Sequence, residues 1–157
     1  MIDISKITDY LYVGSRVGKD HVDELKILNF SLIISMIGQI APEEIFNSPP
    51  FKTMWIRAYD NFFTPISLRK LILGVEAALP VIQNKEKVLV FCKQGRHRSI
   101  IMSAAILIAM GYSSEQASEL LIGGRTVADP RRWYVRSQIK GFEKYWRRKH
   151  THPTNVH

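Results

Sequence analysis

Cys92 is the single cysteine of the chain; it ends the apolar run Val88 to Phe91 and is followed within six residues by Lys93, Arg96, His97 and Arg98, with Gly95 among them and Ser99 next. A thiol in that company is either an inert core side chain or a nucleophile. Its neighbours favour the second reading. Arg98 carries a planar fork of donors suited to holding two oxygens of a phosphate. Gly95 lets the backbone curl so that successive N–H groups turn inward, and nearby cations favour thiolate over thiol. Attack of sulfur on phosphorus asks chiefly for such positioning and charge stabilisation. Lys93, Gln94, Gly95, Arg96 and His97 are therefore expected to surround a bound anion, although His97 reads equally well as a solvated loop residue.

That chemistry works only if the loop stands in the right place. Val88 to Phe91 reads as a central strand covered on both faces, and the segment from Ser99 to Gly111 as a helix stopped by glycine. Residues 93–98 then form the turn between the carboxyl end of a strand and a helix N-terminus, where α/β sheets bind ligands and where helix dipoles attract anions. Tyr10 to Val13, Ser31 to Ile37 and Met54 to Ala58 read as further strands, with a helix over 19–28. The spacing predicts a helix capped by Thr64, with Pro65 first, that kinks or ends at Pro80. Another opens at Ser113 with Gln116 in capping-box spacing, and a last one runs from Asp129-Pro130 to about Lys149. Ser99 is expected to double as a helix N-cap. Alternating strands and helices predict an α/β fold with three layers, a mostly parallel sheet of about five strands flanked by helices.

The segment Cys92-Lys-Gln-Gly-Arg-His-Arg98-Ser99 resembles the phosphate-binding loop of the cysteine-dependent phosphatases, Cys-x5-Arg-Ser/Thr, and in its Cys-x-x-Gly-x-x-Arg-Ser form that of the dual-specificity protein phosphatases. The early LYVGS segment, a strand-then-Asp segment before the loop and Asp129-Pro130 before a final amphipathic helix agree with it, from about Ile7 to Lys149. The resemblance implies a dual-specificity-phosphatase-like fold, with Cys92 as nucleophile, Arg98 as phosphate clamp and Ser99 as the hydroxyl that helps the thiolate leave. It implies Asp60, after the third strand, as general acid. Asp129 is the runner-up, better explained as an N-cap before Pro130. Two positions depart from the family pattern: Phe91 stands where histidine usually precedes the cysteine, and Arg131 where asparagine usually follows the proline.

Composition narrows the alternatives. A chain of 157 residues with 46% hydrophobic residues fits one globular domain over 1–149, with a mobile polar tail over 150–157. A lone cysteine permits no internal disulfide and fits a reducing, cytoplasmic setting. No signal peptide and no apolar run of the roughly 20 residues that cross a membrane are present. No metal and no cofactor is called for. The net charge of +8, from 22 Lys and Arg against 14 Asp and Glu, suits anionic partners. The expected partners are phosphorylated proteins, phosphotyrosine and phosphoserine/threonine alike, or other phosphate esters. Inositol phosphates and phosphoinositides come second, because the loop is richer in cations than one phosphate needs. A phospho-binding pseudophosphatase, sulfur transfer and RNA binding are the rivals; nucleic acid is disfavoured because only net charge and the basic row Arg132, Arg136, Lys140, Lys144 and Arg148 suggest it.

Overall fold

The computed structural model describes residues 2–150. Five strands form one sheet: β1 (Ile4–Lys6), β2 (Leu11–Gly14), β3 (Phe30–Ile37), β4 (Thr53–Ala58) and β5 (Lys87–Phe91). Their order is β1-β2-β5-β3-β4, with β1 antiparallel at the edge and every other pairing parallel. Val88 to Phe91 are all buried at the centre, as a strand covered on both faces must be. Because β3, β4 and β5 are parallel, their carboxyl ends, and with them Gln39, Asp60 and Cys92, meet at one edge of the sheet.

The helices are α1 (Val22–Leu28), preceded by a 3-10 turn at Lys19–His21, α2 (Leu68–Gln83), α3 (Arg98–Ala109), α4 (Ser114–Gly124) and α5 (Trp133–His150). The crossover through α1 and the one through α2 run in opposite directions across the sheet, so right-handed connections put these helices on opposite faces. This is the expected three-layer α/β arrangement. Helix α3 lies among α2, α4 and α5 and is buried from Arg98 to Ile108, which explains a sequence apolar on every side. At Gly74 of α2 a Cβ would collide with Met102, so glycine permits this close approach. Val135, Ile139 and Phe142 form the buried stripe of α5.

Several boundaries differ from expectation for identifiable reasons. Helix α2 starts at Leu68 rather than Pro65, because Ser67 Oγ accepts the Lys70 N–H at 3.2 Å, whereas the Thr64 hydroxyl bonds Asn61 Oδ1 at 2.9 Å. Pro80 does not end α2; the helix runs on to Gln83, and the Pro80 carbonyl accepts the Asn84 N–H at 3.0 Å. In the last turn proline forfeits one bond rather than a helix. Ser99 is the second residue of α3 and not its cap, a position held by His97. The last helix opens at Trp133, not at Asp129, whose backbone N–H instead donates to the Arg96 carbonyl at 3.1 Å. His150 is still helical, and the rest of the expected tail lies outside the described residues. The capping box of Ser113 and Gln116 is formed as the spacing predicts.

Helix α5 is tied to the start of α4 by Glu143, which accepts the Ser114 N–H at 2.6 Å and its hydroxyl at 2.9 Å, beside Arg147 at 3.2 Å. Burial pushes the Glu143 carboxyl up, but the two Ser114 donors and the Arg147 charge outweigh it and leave the pKa below 4.5. Glu143→Ala is expected to lower stability by roughly 1–3 kcal/mol near neutral pH. Because the folded-state pKa is depressed, the contribution is complete above 4.5 and fades as pH falls through the lower folded value. Urea midpoints of parent and variant should therefore converge in acid; a gap constant with pH would show that packing, not the carboxylate, is what was lost.

Candidate active site

Cys92 follows the last residue of β5 and is buried, and the chain turns from it directly into α3. The turn is built on Gly95, at φ +67° in the left-handed region that L side chains rarely adopt. This conformation aims the Gly95 N–H at Cys92 Sγ, 3.2 Å away, while Ser99 Oγ comes within 3.2 Å of the same sulfur from the first turn of α3. Two polar hydrogens can thus reach one buried sulfur. The lost N-cap role of Ser99 is explained by this position under the cysteine.

Arg98 is also buried, and its Nη1 donates to the Ala58 carbonyl at 3.1 Å and to Gln39 Oε1 at 3.3 Å. Its Nε has no hydrogen-bond partner. A buried donor left unpaired is costly. Arg98 also lines a cavity of about 300 Å³, together with Gln39, Tyr59, Asp60, Asn61, Cys92, Lys93, Gln94, Arg96 and His97. Every proposed loop residue except Gly95 and Ser99 lines this space, and those two contact the Cys92 sulfur. Lys93, Gln94 and Arg96 are exposed.

His97 is not a solvated loop residue. It is buried, with Nδ1 at 3.1 Å from both carboxylate oxygens of Asp60. Nε2 lies 3.5 Å from Asp129 Oδ2, without hydrogen-bond geometry. The Tyr134 hydroxyl donates to Asp60 Oδ1 at 3.1 Å; partial burial and the Asp60 charge push the phenol pKa up. Asp60 is therefore gripped from α3 and α5 at the cavity wall. Asp129 is not an N-cap: its Oδ2 turns back to Arg132 at 3.3 Å and Arg96 at 3.8 Å.

Sequence reasoning missed Arg125. This residue follows α4, is 3% exposed, and packs behind the turn from Cys92 to Arg98. Its Nε donates to the Gly95 carbonyl at 2.8 Å and its Nη2 to the Gln94 carbonyl at 2.9 Å. The same guanidinium holds Asp3 at 2.8 and 3.1 Å and Ser5 Oγ at 3.1 Å. A Cβ at Gly95 would lie 2.6 Å from Arg125 Nη2, a second reason for glycine there. Phe91, in contrast, is buried apolar core, and Arg131 pairs with Glu115 at 3.0 Å on the surface.

The sheet and its flanking helices, with the cysteine turn after β5 and Asp60 in the loop after β4, make up a fold that is shared with solved structures. The chain has the cysteine-dependent phosphatase fold. A mouse protein put forward as a dual specificity phosphatase, complexed with zinc tungstate, superposes with a TM-score of 0.84 at 20% identity over 99% of this chain and 95% of its own. PTPMT1 gives 0.83 at 23% identity over 94% and 98%, and a second structure of it is in complex with PI(5)P. The human tyrosine phosphatase-like serine/threonine/tyrosine-interacting protein gives 0.78 at 20% over 93% and 99%. No family model matches the sequence, and no curated protein does. Within this phosphatase fold the five-strand sheet and its flanking helices match the expected architecture.

Arg125→Met leaves two loop carbonyls without their donor and is expected to cost roughly 2–4 kcal/mol, read as a fall in the denaturation midpoint. Asp3→Asn tests the other end of the contact. The Arg125 bonds hold the Asp3 carboxyl below 3.8, so its stabilisation is present above that pH and is lost as pH falls through the depressed value. Parent and Asp3→Asn should differ at neutral pH and converge in acid; a variant as stable as the parent at pH 7 would show that Arg125 does not need its carboxylate.

Proposed function

We propose that this protein is a phosphoric monoester hydrolase of the dual-specificity type, acting on phosphotyrosine and phosphoserine/threonine through a phosphocysteine intermediate. The observation that carries the reading is that Cys92, Arg98 and Asp60 line one cavity. Cys92 Sγ attacks the phosphorus, the phosphorus–oxygen bond to the leaving group breaks, and Arg98 spreads its donors over the oxygens of the transferring phosphoryl group. Asp60 delivers a proton to the departing alkoxide or phenoxide. In the second step it takes a proton from water, which attacks the phosphocysteine, while Ser99 donates to the leaving thiolate. His97 and Tyr134 act as positioning residues for Asp60 through their 3.1 Å contacts. Gly95 donates its N–H to the nucleophile, and Lys93, Gln94 and Arg96 meet the rest of the substrate at the cavity mouth. A lone thiol nucleophile of this kind suits the reducing cytoplasm.

A second substrate class has its own support. Lys93 and Arg96 are exposed beyond the groups that hold the reacting phosphate, so a substrate with additional phosphates, such as an inositol phosphate or a phosphoinositide, also fits. PTPMT1, of the same fold, binds PI(5)P.

Phosphate release from phosphotyrosine and phosphothreonine peptides, a phosphoinositide and a diphosphoinositol phosphate decides between the two classes. Cys92→Ser should reduce turnover to background on all of them. Binding without turnover in the parent would instead favour a phospho-binding protein. Asp60→Asn should slow poor leaving groups by about 10²–10⁴ and p-nitrophenyl phosphate far less; equal losses on both would reject Asp60 as the acid. His97→Ala should reproduce the same leaving-group dependence with a loss of up to about a hundredfold, and a loss independent of the leaving group would assign His97 to phosphate binding instead.

A further inference from the structure

The segment after Asp60 carries two phenylalanines that a globular chain would ordinarily bury. Phe63 is 79% exposed and Phe62 49%, and Trp133, at the start of α5, is 65% exposed. The rings are neighbours, with centroids 4.0 Å apart for Phe62 and Phe63 and 5.3 Å for Phe62 and Trp133. They stand beside the Cys92 cavity: Asp60 and Asn61 line it, and Trp133 packs against Tyr134, which bonds Asp60. Asn61 Oδ1 accepts the N–H groups of Phe63 and Thr64 at 2.9 Å each. The turn is thus fixed and the rings held outward.

Contiguous exposed aromatic area of this kind marks an interaction surface. Its continuation shows the partner's chemistry. From Trp133, steps of three and four residues lead along α5 to Arg136, Lys140 and Lys144, all exposed, over about 16 Å at 1.5 Å per residue. The one carboxylate of α5, Glu143, is turned to Ser114 and Arg147. A projecting group of rings continued by a row of cations has the two parts of an interfacial anchor: aromatic rings enter the headgroup boundary, and lysine and arginine meet anionic lipid.

We propose that Phe62, Phe63 and Trp133, with the Arg136–Lys144 face of α5, form a docking surface for an anionic lipid bilayer and hold the mouth of the Cys92 cavity at the level of the headgroups. A phosphopeptide fits the pattern less well, because the rings project outside the lining of the cavity and the cations extend well beyond it. Docking of this kind does not require the cavity to turn over phosphate, so it stands or falls separately from the proposed activity.

The test is flotation of the protein, residues 1–157, with vesicles of phosphatidylcholine alone or mixed with phosphatidylserine. The protein should float with the mixed vesicles and much less with phosphatidylcholine. Arg136→Ala and Lys140→Ala should each weaken binding about fivefold at low salt, and Phe63→Ser with Trp133→Ser about tenfold or more. Circular dichroism and thermal melting of these variants should match the parent, since the altered side chains are exposed. Tryptophan emission should shift to the blue on mixed vesicles, and Trp133→Phe should remove that shift. Absence of binding to the mixed vesicles would overturn the proposal, as would equal binding by the ring variant. Weaker phosphopeptide binding by the ring variant, without vesicle binding by the parent, would give the surface to a protein partner instead.

Discussion

The geometry of the cavity depends on a buried guanidinium behind the cysteine turn. A backbone that curls to present its N–H groups to a sulfur or an anion must direct carbonyls the other way, and buried carbonyls need donors. Arg125 supplies two of them at once, to Gln94 and Gly95. The left-handed conformation at Gly95, the approach of its N–H to Cys92 and the entry into α3 all presuppose that this rear side is satisfied. Two arginines thus divide the work on opposite sides of one turn. Arg98 lines the cavity, and Arg125 lies behind the turn with its donors occupied.

The front of the cavity follows a different logic. Asp60 comes from the loop after β4, whose path is not dictated by the sheet, yet its carboxylate is fixed by His97 and Tyr134. The carboxylate is thereby registered to the N-cap of α3, next to Arg98, and to α5. Its position relative to Cys92 is set by the loop sequence itself, since His97 precedes Arg98 by a single residue.

Much of this was legible in the sequence because the signals were local. The apolar run before Cys92, the glycine three residues on, the long apolar helix and the capping box at Ser113 each depend on neighbours in the chain, and each appears where the pattern puts it. Misreadings arose where a local motif competed with a distant partner. Asp129 before Pro130 has the form of an N-cap, but its N–H is taken by the Arg96 carbonyl and its side chain by Arg132 and Arg96. Thr64-Pro65 has the form of a helix start, but Asn61 takes the threonine hydroxyl and Ser67 supplies the cap. Arg125 was invisible because nothing in its neighbourhood distinguishes it from a surface arginine after a helix. Its partners lie roughly thirty and a hundred and twenty residues away in the chain, and only the closed fold brings them together.

The reach of Arg125 to Asp3 and Ser5 makes the antiparallel edge strand part of the architecture of the candidate site rather than a decoration of the sheet. Asp3 and Ser5 are thus connected through a single side chain to the turn that holds Cys92. An affinity tag, a fusion partner or a proteolytic cut placed beside Asp3 would be felt at Cys92 through the Arg125 contacts. For anyone preparing this protein, an alteration near Asp3 is also an alteration of the support behind Cys92.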